Sequence, residues 1–214
     1  MSVLENTDMR KQDTIKATET KMQQTTDRNN SKTKPIILLD RDGVINYDSD
    51  AYIKSVDEWQ PLPGSIKAIA ALSKAGFRIF VVTNQSGIAR GYYDETELNA
   101  MHTKMLNLVH SEGGTIEGIE YCPHGPDDGC HCRKPLPGMI ETIESKIGVD
   151  FTQTSAIIVG DSKRDLEAGH ARGCHPSLVL TGKGRDTQYK AFDFYFDVYA
   201  DLAAFALATL HKFN

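Results

Sequence analysis

Residues 35–45 read Pro-Ile-Ile-Leu-Leu-Asp-Arg-Asp-Gly-Val-Ile: an unbroken apolar run, Ile36 to Leu39, stops on two acids two residues apart, Asp40 and Asp42, with Gly43 behind them. Four branched aliphatics in a row suit a strand buried on both faces. Gly43 supplies backbone freedom for a turn at its end. Further apolar runs of strand length follow at Ile79 to Val82, Ile116 to Tyr121, Ala156 to Val159 and Leu178 to Leu180. Between them, Ser65 to Ala75 and Thr96 to Glu112 carry apolar residues at helical spacing and stop at Gly76 and at Gly113-Gly114. Helices are also expected at Gly138 to Ile147, Arg164 to Ala171 and Asp201 to His211. This alternation predicts an α/β fold with a parallel sheet and helices on both faces.

In such a sheet ligands bind beyond the carboxyl ends of the strands. Asp40 and Asp42 follow the first strand, Thr83 the second, a Cys/His cluster the third and Gly160-Asp161 the fourth, so all should meet at one rim. Adjacent carboxylates there call for a hard cation held by oxygen, and Mg²⁺ on Asp40, Asp42 and Asp161 fits, with Asp42 lending its backbone carbonyl. With that cation in place Asp40 can attack the phosphorus of a phosphate ester, while Asp42 protonates the leaving oxygen and later deprotonates water. Thr83-Asn84-Gln85-Ser86 offers a hydroxyl and backbone N–H groups to a phosphate oxygen. Lys134, after Arg133 and before Pro135, brings a fixed positive charge to the phosphoryl group. Asp165, one helical turn past Asp161, reads equally as a group supporting the metal shell or as a helix-start acid.

Cys122-Pro123-His124 and Cys130-His131-Cys132 form two ligand pairs across a five-residue turn-forming spacer. Three thiolates and an imidazole suit tetrahedral Zn²⁺, and a closed shell of Cys122, His124, Cys130 and Cys132 makes that zinc structural. His131 could replace His124, but it sits between two ligands and its side chain is expected to turn away. Cys174 is expected to be a small buried residue near the fifth strand, Gly182-Lys183-Gly184 a plain turn, and Phe192 to Tyr199 a last strand or core cover.

Two bulk features narrow the class. A net charge of -5 opposes a general nucleic-acid binder, which must neutralise many phosphates. No apolar run reaches the ~18 residues of a membrane span, and no secretory signal opens the chain, so a cytoplasmic protein is expected. Residues 1–34 hold only scattered apolar side chains and are expected to be a disordered extension of a single domain over residues 35–214.

Asp40-x-Asp42-Gly43, Thr83, Lys134 and Gly160-Asp161-x-x-x-Asp165, in this order, resemble the four motifs of the haloacid dehalogenase superfamily phosphatases. The resemblance implies a Rossmann-like three-layer αβα sandwich. The short intervals from Asp42 to Asn84 and from Asn84 to Lys134 leave little room for a large cap domain, so an open site with a small zinc-binding loop is expected. The zinc loop, Thr83-Asn84-Gln85-Ser86-Gly87-Ile88-Ala89-Arg90-Gly91 and Cys132-Arg133-Lys134-Pro135 narrow the likeness to the branch of heptose 1,7-bisphosphate and histidinol-phosphate phosphatases, closer to the former. That likeness implies a monomeric, Mg²⁺-dependent sugar bisphosphate phosphatase that removes a C7 phosphate in nucleotide-activated heptose biosynthesis, supplying lipopolysaccharide or S-layer precursors. Histidinol phosphate is the alternative substrate. It also implies substrate contacts from Asp40, Arg41, Asp42, the loop Asp48 to Tyr52, Thr83, Asn84, Gln85, Ser86, Arg133 and Lys134. A second phosphate needs a second cation, and Arg133 is the expected specificity residue. Ser162 stands where some members carry a lysine.

Overall fold

The first strand lies at the centre of a six-stranded sheet of order β3-β2-β1-β4-β5-β6, every pairing parallel. The computed structural model describes residues 34–213, so the extension expected at residues 1–34 falls, but for Lys34, outside them. The strands are β1 (Ile36–Leu39), β2 (Ile79–Asn84), β3 (Gly118–Cys122), β4 (Ala156–Gly160), β5 (His175–Val179) and β6 (Asp197–Tyr199). The helices are α1 (Ser65–Lys74), α2 (Glu95–Ser111), α3 (Gly138–Ile147), α4 (Lys163–His170), α5 (Gly184–Thr187) and α6 (Leu202–Phe213). No helix among the described residues is long and apolar enough to cross a membrane.

Alternation along the strands builds two cores. Ile37, Leu39, Val81 and Val159 face one cluster with Leu72, Met101, Met105 and Phe205 from α1, α2 and α6. Ile36, Leu38, Val82 and Ile158 face the other, with Ile140 and Ile143 of α3 and Ala168 of α4. Helices therefore cover both faces, giving the three-layer sandwich. The segments 40–64 and 123–137, where a cap would be inserted, contain no further helix or sheet strand.

Helix ends shift from the sequence expectation by one or two residues, β2 runs on through Thr83 to Asn84, and the larger differences are in β3, β5 and the aromatic segment. β3 starts at Gly118 rather than Ile116, because pairing with β2 begins at Phe80↔Gly118, although Ile116 still packs into the core. β5 begins earlier, at His175, and runs through Pro176. β6 first pairs at Ser177, so the missing proline N–H breaks no ladder on that side. Only Asp197–Tyr199 of the aromatic segment is strand. Phe192 instead packs on Phe194 and Phe196, at centroid distances of 5.2 and 4.6 Å, and Phe194 stacks on His170 at 4.1 Å.

His102 of α2 is buried against this core, and its Nε2 has no partner among the described residues. Burial, then the nearby Arg41 charge, push its pKa from 6.5 down to about 4. The unfolded ring takes up a proton below pH 6.5 while the folded ring does not. Stability from this residue is therefore complete above pH 6.5 and lost as pH falls towards 4, by about 3 kcal/mol for a shift of this size. His102→Leu should flatten that part of the profile. The check is urea unfolding of both proteins at pH 7 and pH 4.5: on going to the lower pH, wild type should lose about 2 kcal/mol more stability than His102→Leu.

Candidate active site

The strand order reverses between β1 and β4, and the acids stand at that crevice. Asp40 follows β1 and its N–H donates to the Val159 carbonyl at 2.9 Å; Asp161 follows β4. Two glycines let the chains close on Asp161. A Cβ on Gly43 (φ 82°) would sit 2.2 Å from Asp161 Oδ2, and one on Gly182 (φ 52°) 2.1 Å from it. Thr181 Oγ1 ties the two turns by donating to the Gly43 carbonyl at 2.6 Å, and the Lys183 N–H donates to Asp161 Oδ2 at 2.7 Å.

Asp40, Asp161 and Asp165 bring carboxylate oxygens within 4.8 Å of one another, all three buried. Burial, then Asp165, push the Asp40 carboxyl up to about 6 against the pull of Lys134; burial, Asp165 and Asp40 push Asp161 up to about 8. Like charges crowded in low dielectric cannot all ionise unaided, which is the electrostatic mark of a cation site. Asp165 is an unsuitable ligand because both its oxygens are taken. Oδ2 accepts from the Ser162 N–H and hydroxyl at 3.0 and 2.5 Å, and Oδ1 faces Lys134 Nζ at 2.6 Å. It is at once a helix-start acid and a support for the site.

Lys134 is the hub. Its ammonium pairs with Asp40 Oδ1 at 2.8 Å and Asp165 Oδ1 at 2.6 Å and donates to the Val82 carbonyl at 2.8 Å. Burial pushes its pKa down, but Asp165 and Asp40 more than offset this and it stays charged. Asn84 clamps its backbone, donating to the Lys134 carbonyl and accepting its N–H, both at 3.1 Å. Asp40 Oδ1 also accepts the Arg41 N–H at 2.7 Å, while Oδ2 has no donor among the described residues.

Asp42 points elsewhere. Arg41 Nη2 donates to Oδ1 and Oδ2 at 2.8 and 3.0 Å, Asn46 Nδ2 to Oδ1 at 2.8 Å and Gln85 Nε2 to Oδ2 at 2.8 Å. Burial raises its pKa, but Arg41 and these hydrogen bonds outweigh it and hold the carboxyl below its usual range. The Asp42 side chain is thus outside the carboxylate cluster. Thr83 is 1% exposed and off the cleft wall, its Oγ1 accepting from Gln85 Nε2 at 2.8 Å.

The other predicted substrate residues (Asp48, Tyr52, Asn84, Gln85, Ser86 and Arg133) line one cleft of about 230 Å³ with Asp40, Arg41, Asp42, Lys134 and Asp161. Tyr52 is the one non-glycine residue with positive φ (68°) among those described, a conformation that marks a constrained loop.

Beside the cleft, Cys122 Sγ lies 3.6 Å from both Cys130 Sγ and His124 Nδ1, and His124 Nδ1 lies 3.2 Å from Cys132 Sγ. All four ligand atoms fall within 4.8 Å, a set able to hold a metal ion. His131 is turned away, its Nε2 on Glu141 Oε2 at 2.8 Å. Arg133, next to Cys132, donates from Nη1 to the His124 carbonyl at 3.1 Å, which joins the loop to the cleft.

Comparison with known proteins decides the family. Residues 131–204 match the HAD-hydrolase-like family. Over 177 residues the chain is 55% identical to D-glycero-beta-D-manno-heptose-1,7-bisphosphate 7-phosphatase of Pseudomonas aeruginosa, covering 83% of this chain and 98% of that protein. The chain belongs to the heptose 1,7-bisphosphate phosphatases of the haloacid dehalogenase superfamily. It is similar to the crystal structure of the D,D-heptose 1,7-bisphosphate phosphatase from B. bronchiseptica complexed with magnesium and phosphate, with a TM-score of 0.80 and 50% identity over 83% of this chain and 99% of that one. The Burkholderia thailandensis enzyme gives a TM-score of 0.64 at 42% identity, over 83% and 99% of the two chains.

Four polar residues of this heptose bisphosphatase family member line the cleft without having been assigned to the site from sequence: Arg90, Tyr93, Arg164 and Lys183. Lys183, expected in a plain turn, pairs through Nζ with Asp48 Oδ2 at 2.9 Å. Gly182 was the available signal, since a glycine with positive φ beside a lysine permits close main-chain approach to a site. Cys174 is buried near β5 as expected.

Proposed function

We infer that the chain removes the C7 phosphate of D-glycero-D-manno-heptose 1,7-bisphosphate and leaves heptose 1-phosphate. The observation that carries this reading is Asp40: Oδ1 is pinned by Lys134 and the Arg41 N–H, Oδ2 carries no donor, and the residue lines the cleft. Oδ2 attacks phosphorus, the bond from phosphorus to the C7 oxygen breaks, and Asp42 delivers a proton to that oxygen. Water deprotonated by Asp42 then attacks the aspartyl phosphate, releasing inorganic phosphate and restoring Asp40. Asp42 is held ionised in the free protein, and a phosphate dianion entering beside it raises its proton affinity, so Asp42 takes up from solvent, as substrate binds, the proton that it then delivers. Asp40, Asp161 and the Asp42 carbonyl supply hard oxygen donors with excess negative charge, as Mg²⁺ requires; bound there, it neutralises the charge of the phosphoryl oxygens.

Arg133, Arg164 and Lys183 around the cleft suit a second phosphate better than the ammonium of histidinol phosphate. Phosphate release from the two substrates, with Mg²⁺ present, tests the reading; preference for histidinol phosphate would overturn it. A rapid-quench search for phosphate on Asp40 tests the covalent step.

For the Cys/His loop the structural metal is Zn²⁺. Zinc–sulfur bonds of about 2.3 Å place tetrahedral ligands with edges near ~3.8 Å, slightly shorter with nitrogen. The observed 3.2–3.6 Å separations fit. Because Arg133 is tied to the His124 carbonyl, Cys132→Ser or chelation should lower kcat/KM by about a hundredfold even with Mg²⁺ restored, the scale of an ångström-sized misplacement. Full activity of zinc-depleted protein, verified by metal analysis, would refute this.

A further inference from the structure

Tyr93 sits immediately before Asp94, the N-cap of α2, whose Oδ1 accepts the Glu97 N–H at 2.9 Å; the helix start thereby holds the Tyr93 backbone. Its ring occupies the space left by Gly87. A Cβ on that glycine would lie 2.3 Å from Tyr93 Cε1 and 2.8 Å from its oxygen. From there the phenol donates to Gln85 Oε1 at 2.6 Å.

Gln85 is 2% exposed, and its nitrogen donates to both Asp42 Oδ2 and Thr83 Oγ1 at 2.8 Å. Asp42 as a carboxylate only accepts, so the nitrogen end of the amide must face it, and the oxygen end then needs a donor. Tyr93 is that donor. Since Thr83 Oγ1 spends a lone pair on Gln85, its own hydrogen is directed away from Gln85.

We propose that Tyr93 is a positioning residue: acting through Gln85, it aims Asp42 Oδ2 for delivery of the proton to the leaving oxygen. This rests on the reading of Asp42 as the proton donor. Tyr93→Phe keeps the ring and removes the donor. The buried Gln85 oxygen loses its partner, and the amide is free to turn from Asp42.

The test compares kcat/KM for heptose 1,7-bisphosphate, whose alkoxide must be protonated to leave, with that for p-nitrophenyl phosphate, whose phenolate leaves without a proton. Asp42→Asn should lower the alkyl-to-aryl ratio by ~100-fold or more, as for loss of a general acid. Tyr93→Phe should lower it about tenfold, the scale of one hydrogen bond. In a Gln85→Met background, Tyr93→Phe should change the ratio no further. An unchanged ratio in Asp42→Asn would overturn the proton-donor reading and the proposal with it. A collapse in Asp42→Asn with no change in Tyr93→Phe would overturn the role of Tyr93 alone. A full second drop in the Gln85→Met background would show that Tyr93 does not act through Gln85.

Discussion

Replacing Asp40 by asparagine is expected to lower phosphate release by ~10⁴-fold or more, the scale seen when a covalent nucleophile is removed. An amide oxygen can still accept from Lys134 Nζ and the Arg41 N–H, which reach Asp40 Oδ1 at 2.8 and 2.7 Å, so the site geometry should survive. What disappears is the anionic oxygen that strikes phosphorus. The substitution also removes one of three crowded acids, and Asp161, pushed up to about 8 by burial, Asp165 and Asp40, should ionise more easily. An inactive protein whose metal-free thermal midpoint is equal to or above that of the wild type is therefore expected, the pattern of a strained functional site. Calorimetry beside a phosphate-release assay checks both halves. Turnover within tenfold of wild type would remove the aspartyl phosphate from the mechanism.

Lys134→Met should damage both stability and catalysis. The ammonium has a side chain 1% exposed and meets Asp40, Asp165 and the Val82 carbonyl within 2.8 Å. Methionine fills much of the volume but leaves two buried acids without their counter-charge, a loss of about 3–5 kcal/mol. Turnover should fall by ~100- to 1000-fold, as when a preorganised electrostatic contact is removed. Urea midpoints and kcat on the same preparation measure the two effects. Lys134→Arg should rescue neither, because three acceptors converge on a single nitrogen in a space closed to a planar fork. Wild-type stability in Lys134→Met would show that the three contacts contribute little.

The strands were legible because four or more branched aliphatics in a row have few other uses, and their alternation with amphipathic segments implies parallel pairing. Asp40 and Asp161 could be placed together because both directly follow strands that run the same way. The Cys/His loop was legible for a different reason: within each pair the side chains lie two residues apart, so local geometry nearly suffices to bring the atoms together. Asp165 could not be assigned from spacing, since its two oxygens serve different purposes, one holding the Ser162 turn and the other Lys134.

Directions of side chains and N–H groups were a different matter. Asp42 could be assigned its main-chain oxygen for a metal and its side chain for a proton, but not the direction of its carboxylate, which five hydrogen bonds from Arg41, Asn46 and Gln85 fix. Lys183 read as part of a turn, and its N–H meets Asp161 only because Gly43 and Gly182 allow two distant loops to touch. Thr181 and Gly43, 138 positions apart, share a hydrogen bond that no local pattern announces.

Hydrophobic periodicity and short-range spacing, carried along the chain itself, were enough to specify a parallel α/β sheet, the rim where its acids gather and the clustering of Cys122, His124, Cys130 and Cys132. Which oxygen of Asp40 stays free, which groups gather around Lys134 and where Tyr93 points emerged only on folding. Those choices depend on hydrogen-bond angles between segments that meet in space, and a linear pattern of residue types does not encode angles.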